Sequence, residues 1–424
     1  MRAILALIGG LSLMTSFAAA EFPSPTELPA HPALPDPLVM FDGSRVGSAE
    51  EWREKRRPEL KALFEEYVYG RYPQADGSSQ PPAVQSKVLF EDPQALGGAG
   101  TLKEVELTIG EPDGPKIYLL VATPNGKTPA ACFVGMNFGG NHLLVDDARV
   151  HVPKSWMPDR YTGVVDNRAT DASRGVEAYT WPLAEIVARG YAAATFHCGD
   201  IQPDRPFVRE GMRATLPENS EDPAETATIM WWAWGIHRAI DYLATDKAID
   251  PERIAAVGHS RLGKTALLAG AFDDRVALTV ANQAGCGGSG PSRHDDQRAE
   301  TVKRITEHFP HWFCANFTKF GEDPSKLPID QNCLVALCAP RPVLFTAAED
   351  DRWANPTGQF EVLQAASPAY ELLGALGLKA DAMPAADAPL LGDGRLGYWF
   401  RTGEHSMTPQ DWKVYMDFAD RQWK

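Results

Sequence analysis

The tract Ala255–Leu267, AAVGHSRLGKTAL, follows an apolar run and centres on Ser260, with Gly258 two residues before it and Gly263 three after. A serine hydroxyl becomes a nucleophile when a base takes its proton and a carboxylate orients that base. Two later tracts supply such partners. PVLFTAAEDDRW carries Glu349, Asp350 and Asp351 behind an apolar run, and GYWFRTGEHSM carries His405 near the C-terminus. The chain order serine, acid, histidine belongs to one class of acyl-transfer enzymes. The plainer reading is a turn in which glycine eases packing and Ser260 caps a helix. The order of the three tracts favours the hydrolytic serine. Of the ten histidines, His405 is the expected base and His142 in NFGGNH its competitor. His259 adjoins Ser260, but the turn directs its ring away from the hydroxyl. His31, His237, His294, His308 and His311 need no chemistry.

Such groups work at the carboxyl ends of strands, so the elements around them matter. KEVELTIG, KIYLLVATP and AACFVGMNF read as early strands. From Trp181 strand and helix alternate: WPLAEIVARG as helix, YAAATFHC as strand, AETATIMWWAWGIHRAIDYLATD as a long helix and RIAAVGHS as strand. A helix from about Gly263, the strand VALTVANQ, the helix AETVKRITEHF and the strand PVLFTAAED follow. The helix GQFEVLQAASPAYELLGAL, the strand LGYWFRTG and a closing helix complete the chain. Apolar strands between amphipathic helices predict a mainly parallel sheet covered on both faces, the α/β-hydrolase three-layer sandwich. A proline-rich leader and the helical tract EEWREKRRPELKALFEEYVYG form an N-terminal extension. The polar stretch 141–180 is long enough to be a functional loop. No internal repeat or low-complexity linker divides the chain, so residues 21–424 are expected to be a single catalytic domain.

Met1-Arg2, an apolar run and the small residues Ala18 and Ala20 before Glu21 predict a secretory signal peptide over residues 1–20. The run is too short for a membrane anchor. A net charge of −15 argues against nucleic acid or an anionic membrane as partner. The six cysteines show no metal-ligand spacing. Cys132 and Cys198 lie in strand-like runs and are expected as buried thiols. Pairing among Cys286, Cys314, Cys333 and Cys338 stays open. No metal or cofactor is expected.

GHSRLGKTAL resembles the G-x-S-R-x-G-K signature of the glucuronoyl esterases, carbohydrate esterase family fifteen. Further blocks are similar: RRPELKALFEEYVYGRYP, NFGGNH, ARGYAAATFHCGDIQPD, RAETVKRITEHFPHWF, CAPRPVLFTAAEDDRWANPTGQF and HSMTPQDW. The signal peptide makes a secreted or periplasmic protein the expectation, and a monomer is expected; the resemblance implies that it cleaves esters of 4-O-methyl-D-glucuronic acid on xylan with lignin alcohols. It also implies that Arg261 reaches the developing oxyanion and that Lys264, Glu300 and Trp353 contact the sugar. Read alone, Arg261 and Lys264 are a solvated helix face, and Trp353 a core aromatic. One position departs from the fungal pattern: Gln283 in ANQAGCGG stands where many members carry the acidic residue. The later carboxylates then matter, with Asp351 first by its D-x-W spacing, Asp350 second and Glu349 behind them. An acetyl xylan esterase on the same fold and a noncatalytic polysaccharide-binding protein are the alternatives.

Overall fold

The computed structural model describes residues 22–73, 81–126, 128–206, 208, 210–215 and 221–423. The expected signal peptide, residues 1–20, lies outside the described residues. Among the described residues eleven strands run in chain order: β1 (Val84–Asp92), β2 (Gly100–Ile109), β3 (Lys116–Pro124), β4 (Ala130–Asn137), β5 (Val164–Val165), β6 (Arg168–Ala169), β7 (Ala192–His197), β8 (Ile249–His259), β9 (Val276–Asn282), β10 (Val343–Ala348) and β11 (Leu396–Arg401). β5 and β6 form a small pair of their own, and the other nine make one sheet in the order β1-β2-β3-β7-β4-β8-β9-β10-β11. The first three pairings are antiparallel. From β7 to β11 every pairing is parallel.

The helices are α1 (Ala49–Glu51), α2 (Arg57–Phe64), α3 (Leu183–Arg189), α4 (Thr228–Leu243), α5 (Arg261–Phe272), α6 (Val302–His308), α7 (Ala315–Thr318), α8 (Gln331–Cys338), α9 (Pro356–Leu372) and α10 (Pro409–Trp423). Strand alternation divides the core in two. In β8, Ile254 and Ala256 face the cluster built with α2, α4, α5, α8 and α9. Their neighbours Ala255 and Val257 face the cluster built with α3 and α10. β4 divides the same way, with Cys132 and Val134 against Ala131 and Phe133. Sheet and helices thus form the expected layers.

Four local readings need correction. β1 went unread because most of its residues are exposed, so it lacks an apolar run. α8 went unread because all eight of its residues are buried, which erases amphipathic periodicity. α4 starts at Thr228 rather than Ala224, because Ala227 donates its N–H to Tyr69 and Thr228 to His311 instead of entering a helical turn. α6 starts at Val302, capped by the Thr301 hydroxyl, which leaves Glu300 outside the helix. All six cysteines are buried and unpaired. Among the described residues no helix is long and apolar enough to cross a membrane.

Candidate active site

β8 delivers Ser260 to the carboxyl edge of the sheet, and α5 begins at the next residue. Ser260 has φ 58° and ψ −128°, a strained conformation for a residue with a side chain. Its N–H donates to Asn282 (2.8 Å), while its carbonyl accepts from Gly263 (2.8 Å) and Lys264 (3.1 Å). The late glycine has a steric explanation. A Cβ on Gly258 would lie 2.0 Å from the Leu262 carbonyl oxygen, and one on Gly263 3.0 Å from the Gly258 oxygen. The helix therefore packs on the strand through Gly263, leaving the nearer position to Leu262.

His405 follows β11, and its Nδ1 lies 2.7 Å from Asp351 Oδ2. Asp351 is buried, and its Oδ1 accepts the Ala354 N–H at 3.3 Å. Asp350 is exposed, and neither it nor Glu349 is bonded to the imidazole among the described contacts. Of the three candidate carboxylates, the geometry therefore pairs Asp351 with the histidine. A carboxylate on Nδ1 orients the ring and leaves Nε2 as the basic nitrogen. The His405 ring rests on that of His259, the residue before Ser260, with centroids 4.4 Å apart. Burial first, then the charges of His405, Arg261 and Arg401, hold His259 well below the ordinary histidine range. The ring beneath His405 is therefore neutral and puts no second cation in contact with that imidazole.

The loop bearing His405 is fastened from three sides. Gln283 accepts the Ser406 N–H at 2.9 Å, and Asn282 Nδ2 donates to the Ser406 carbonyl at 3.1 Å. Arg401 donates to the Ser406 carbonyl and hydroxyl (3.2 and 2.9 Å) and pairs with buried Asp411 (3.0 Å). Gln283 thus holds the main chain beside the histidine, not the ring.

Arg261 and Lys264 are not a solvated helix face. Lys264 is buried and donates to Glu300 Oε2 at 2.8 Å and to the Cys286 carbonyl. Glu300 Oε1 accepts from Trp353 Nε1 at 2.7 Å. The three residues expected to meet a sugar are therefore one bonded chain, starting a helical turn beyond Ser260. Trp353 is 39% exposed, which rules out the core-aromatic reading. Arg261 donates through Nη1 to Asp204, and its guanidinium carbon lies 4.9 Å from the Trp312 ring centroid and 5.2 Å from that of Phe138. Asp204 also accepts from His311 Nε2 (2.8 Å) and Trp312 Nε1 (2.7 Å). Burial alone would raise the Asp204 carboxyl, but the His311 hydrogen bond and the Arg261 charge bring it down to about 2. The competitor His142 is buried against Ser173 (3.2 Å), and its pKa, lowered to about 4 mainly by burial, suits a structural role. Among the described residues no group of three or more histidine, cysteine or acidic side chains could hold a metal ion.

Sequence reasoning missed Asp204 and Trp312 and set His311 aside; it likewise missed Phe138 and Arg401 and set aside His259. The tracts GDIQPD and HFPHWF, both within the blocks of resemblance, were the available signal for the first three.

A family model described as glucuronyl esterase, fungi, matches residues 185–374. A solved structure of a promiscuous CE15 esterase from a marine bacterial metagenome is 42% identical with a TM-score of 0.84, covering 94% of this chain and 98% of that one. The glucuronoyl esterase from Solibacter usitatus is 36% identical with a TM-score of 0.83, covering 94% of this chain and 100% of its own. The chain belongs to carbohydrate esterase family 15. The 4-O-methyl-glucuronoyl methylesterase 1 of Wolfiporia cocos, a fungal relative, is 29% identical over 84% of this chain and 76% of that protein. Membership makes the chain an esterase on the α/β-hydrolase fold.

Buried neutral histidines give this esterase a pH dependence of stability. Burial is the first cause of a lowered pKa at His142 and His237 (each about 4), His197 (about 3) and His259. Each stays neutral in the folded chain but takes up a proton when unfolded below about pH 6.5. Stability is then fully present above that pH and lost as pH falls toward 4. The urea midpoint should drop steadily between pH 7 and pH 5; a flat midpoint would contradict this reading.

Proposed function

We propose that the protein is a secreted, monomeric glucuronoyl esterase whose residues 21–424 form one catalytic domain. It hydrolyses 4-O-methyl-D-glucuronoyl esters linking glucuronoxylan to lignin alcohols. The observation that carries this reading is the position of the Lys264–Glu300–Trp353 chain, one helical turn beyond a serine held at a strained strand–helix turn.

Ser260 attacks the C6 carbonyl while His405 accepts its proton, and Asp351 orients His405 and stabilises the cation formed. The carbonyl oxygen gains negative charge at the start of α5. There the Arg261 N–H, the helix dipole and the guanidinium face it. His405 then protonates the departing alcohol, and water cleaves the glucuronoyl-enzyme by the same steps in reverse. Lys264 and Glu300 hold sugar hydroxyls, and the Trp353 ring packs on the sugar. Buried polar partners of this kind discriminate strongly against substrates that lack the hydroxyls.

The lysine separates this reading from an acetyl xylan esterase. Lys264→Ala should lower kcat/KM on benzyl D-glucuronate about 10- to 100-fold, the size of a lost charged hydrogen bond, and change 4-nitrophenyl acetate hydrolysis far less. Equal losses on both substrates, or none on either, would sink the uronate assignment.

A further inference from the structure

The two cations beside Ser260 share a feature that the proposed reaction does not require. Each is matched by a carboxylate largely withdrawn from solvent. Lys264 pairs with Glu300 at 2.8 Å, their side chains 3% and 5% exposed. Arg261 pairs with Asp204, their side chains 16% and 15% exposed. Asp204 lies 57 residues away on a loop after β7, and it in turn is held by His311 and Trp312 just beyond α6. Phe309 and Trp312 stack in parallel, centroids 3.8 Å apart, and both rings lie within 6 Å of the guanidinium carbon. The guanidinium is thus fixed by a carboxylate and by aromatic faces. Its Nε is buried and has no hydrogen-bond partner among the described residues.

Resting on the esterase reading above, we propose that Asp204 is a positioning residue for Arg261. It fixes the guanidinium and offsets its charge, so that the pocket favours a neutral uronate ester over the uronate product. The physical reason lies in the charge balance along the reaction. In the transition state the oxyanion forms together with the His405 imidazolium, so the pocket gains no net charge. The product acid loses its proton and brings a full negative charge. An uncompensated guanidinium would bind that carboxylate through paired hydrogen bonds and delay its release. With Asp204 in place the N–H donors remain, but the product carboxylate meets a like charge close by.

The test is product inhibition by D-glucuronate at pH 8, with benzyl D-glucuronate as substrate, for the wild type and Asp204→Asn. The variant should lose about 100-fold in kcat, as a misplaced catalytic donor does. Its inhibition constant for glucuronate should fall about tenfold, because the opposing charge is gone. A purely structural role predicts the reverse, looser binding of product as well as slower turnover. An unchanged or higher inhibition constant therefore overturns the proposal. If Asp204→Asn does not fold, calorimetry on Ser260→Ala keeps the test open. Methyl glucuronate should bind at least about tenfold more tightly than glucuronate, and equal or tighter binding of the acid overturns the proposal. A wild type that leaves benzyl glucuronate uncleaved would instead overturn the esterase reading, and this inference with it.

Discussion

Ser260→Ala is expected to lower turnover of a uronate ester by about 10⁶-fold, the loss seen when a triad nucleophile is removed. The substitution deletes one oxygen from a side chain that caps no helix hydrogen bond, so folding should be preserved. Substrate affinity should survive, because Lys264, Glu300 and Trp353 do not depend on the hydroxyl. The check is kcat by single-turnover kinetics alongside calorimetric binding of methyl glucuronate. Activity lost together with binding would point to a collapsed pocket, and a residual rate within tenfold of wild type would mean another nucleophile.

Asp351→Asn should cost about 10⁴-fold in kcat, because an amide can donate to Nδ1 and hold the imidazole in the wrong tautomer. Asp350→Asn should stay close to wild type, since that side chain is exposed and its backbone N–H, bonded to Gly403, is untouched. The contrast between neighbours makes this a sharp test of the acid. Gln283→Glu adds a further comparison. Its side chain binds the Ser406 main chain, so a carboxylate there should not rescue Asp351→Asn. Rescue would mean that position 283 reaches the ring.

The parts of the site that sequence revealed are those with local grammar. An apolar strand, a serine between two glycines and a helix are contiguous, and the histidine and acid follow in a fixed order. Asp351 could be ranked above Asp350 only by its spacing to Trp353; burial and the bond to His405 separate them in space. Glu300 could be named but not placed, because the helix expected from Ala299 would have enclosed it. The Thr301 cap leaves it free to meet Lys264. The Asp204–His311–Trp312 group could not be assembled from its two tracts for another reason. Its members come from two loops far apart in sequence, and their types are ordinary for surface turns. Only the fold brings them under Arg261. The layers were readable because short apolar runs such as β4 and β7, buried along their whole length, alternate with helical tracts. Reading failed at β1, which is mostly exposed, and at α8, which is buried all round.

The most direct test of the central claim is the ratio of kcat/KM for benzyl D-glucuronate to that for 4-nitrophenyl acetate in the wild-type protein. A ratio well above one, with both activities lost in Ser260→Ala, is the result predicted by a triad serving a uronate-binding pocket. Acetate cleavage with no detectable glucuronate cleavage would contradict it, and would leave the Lys264–Glu300–Trp353 chain without its proposed substrate.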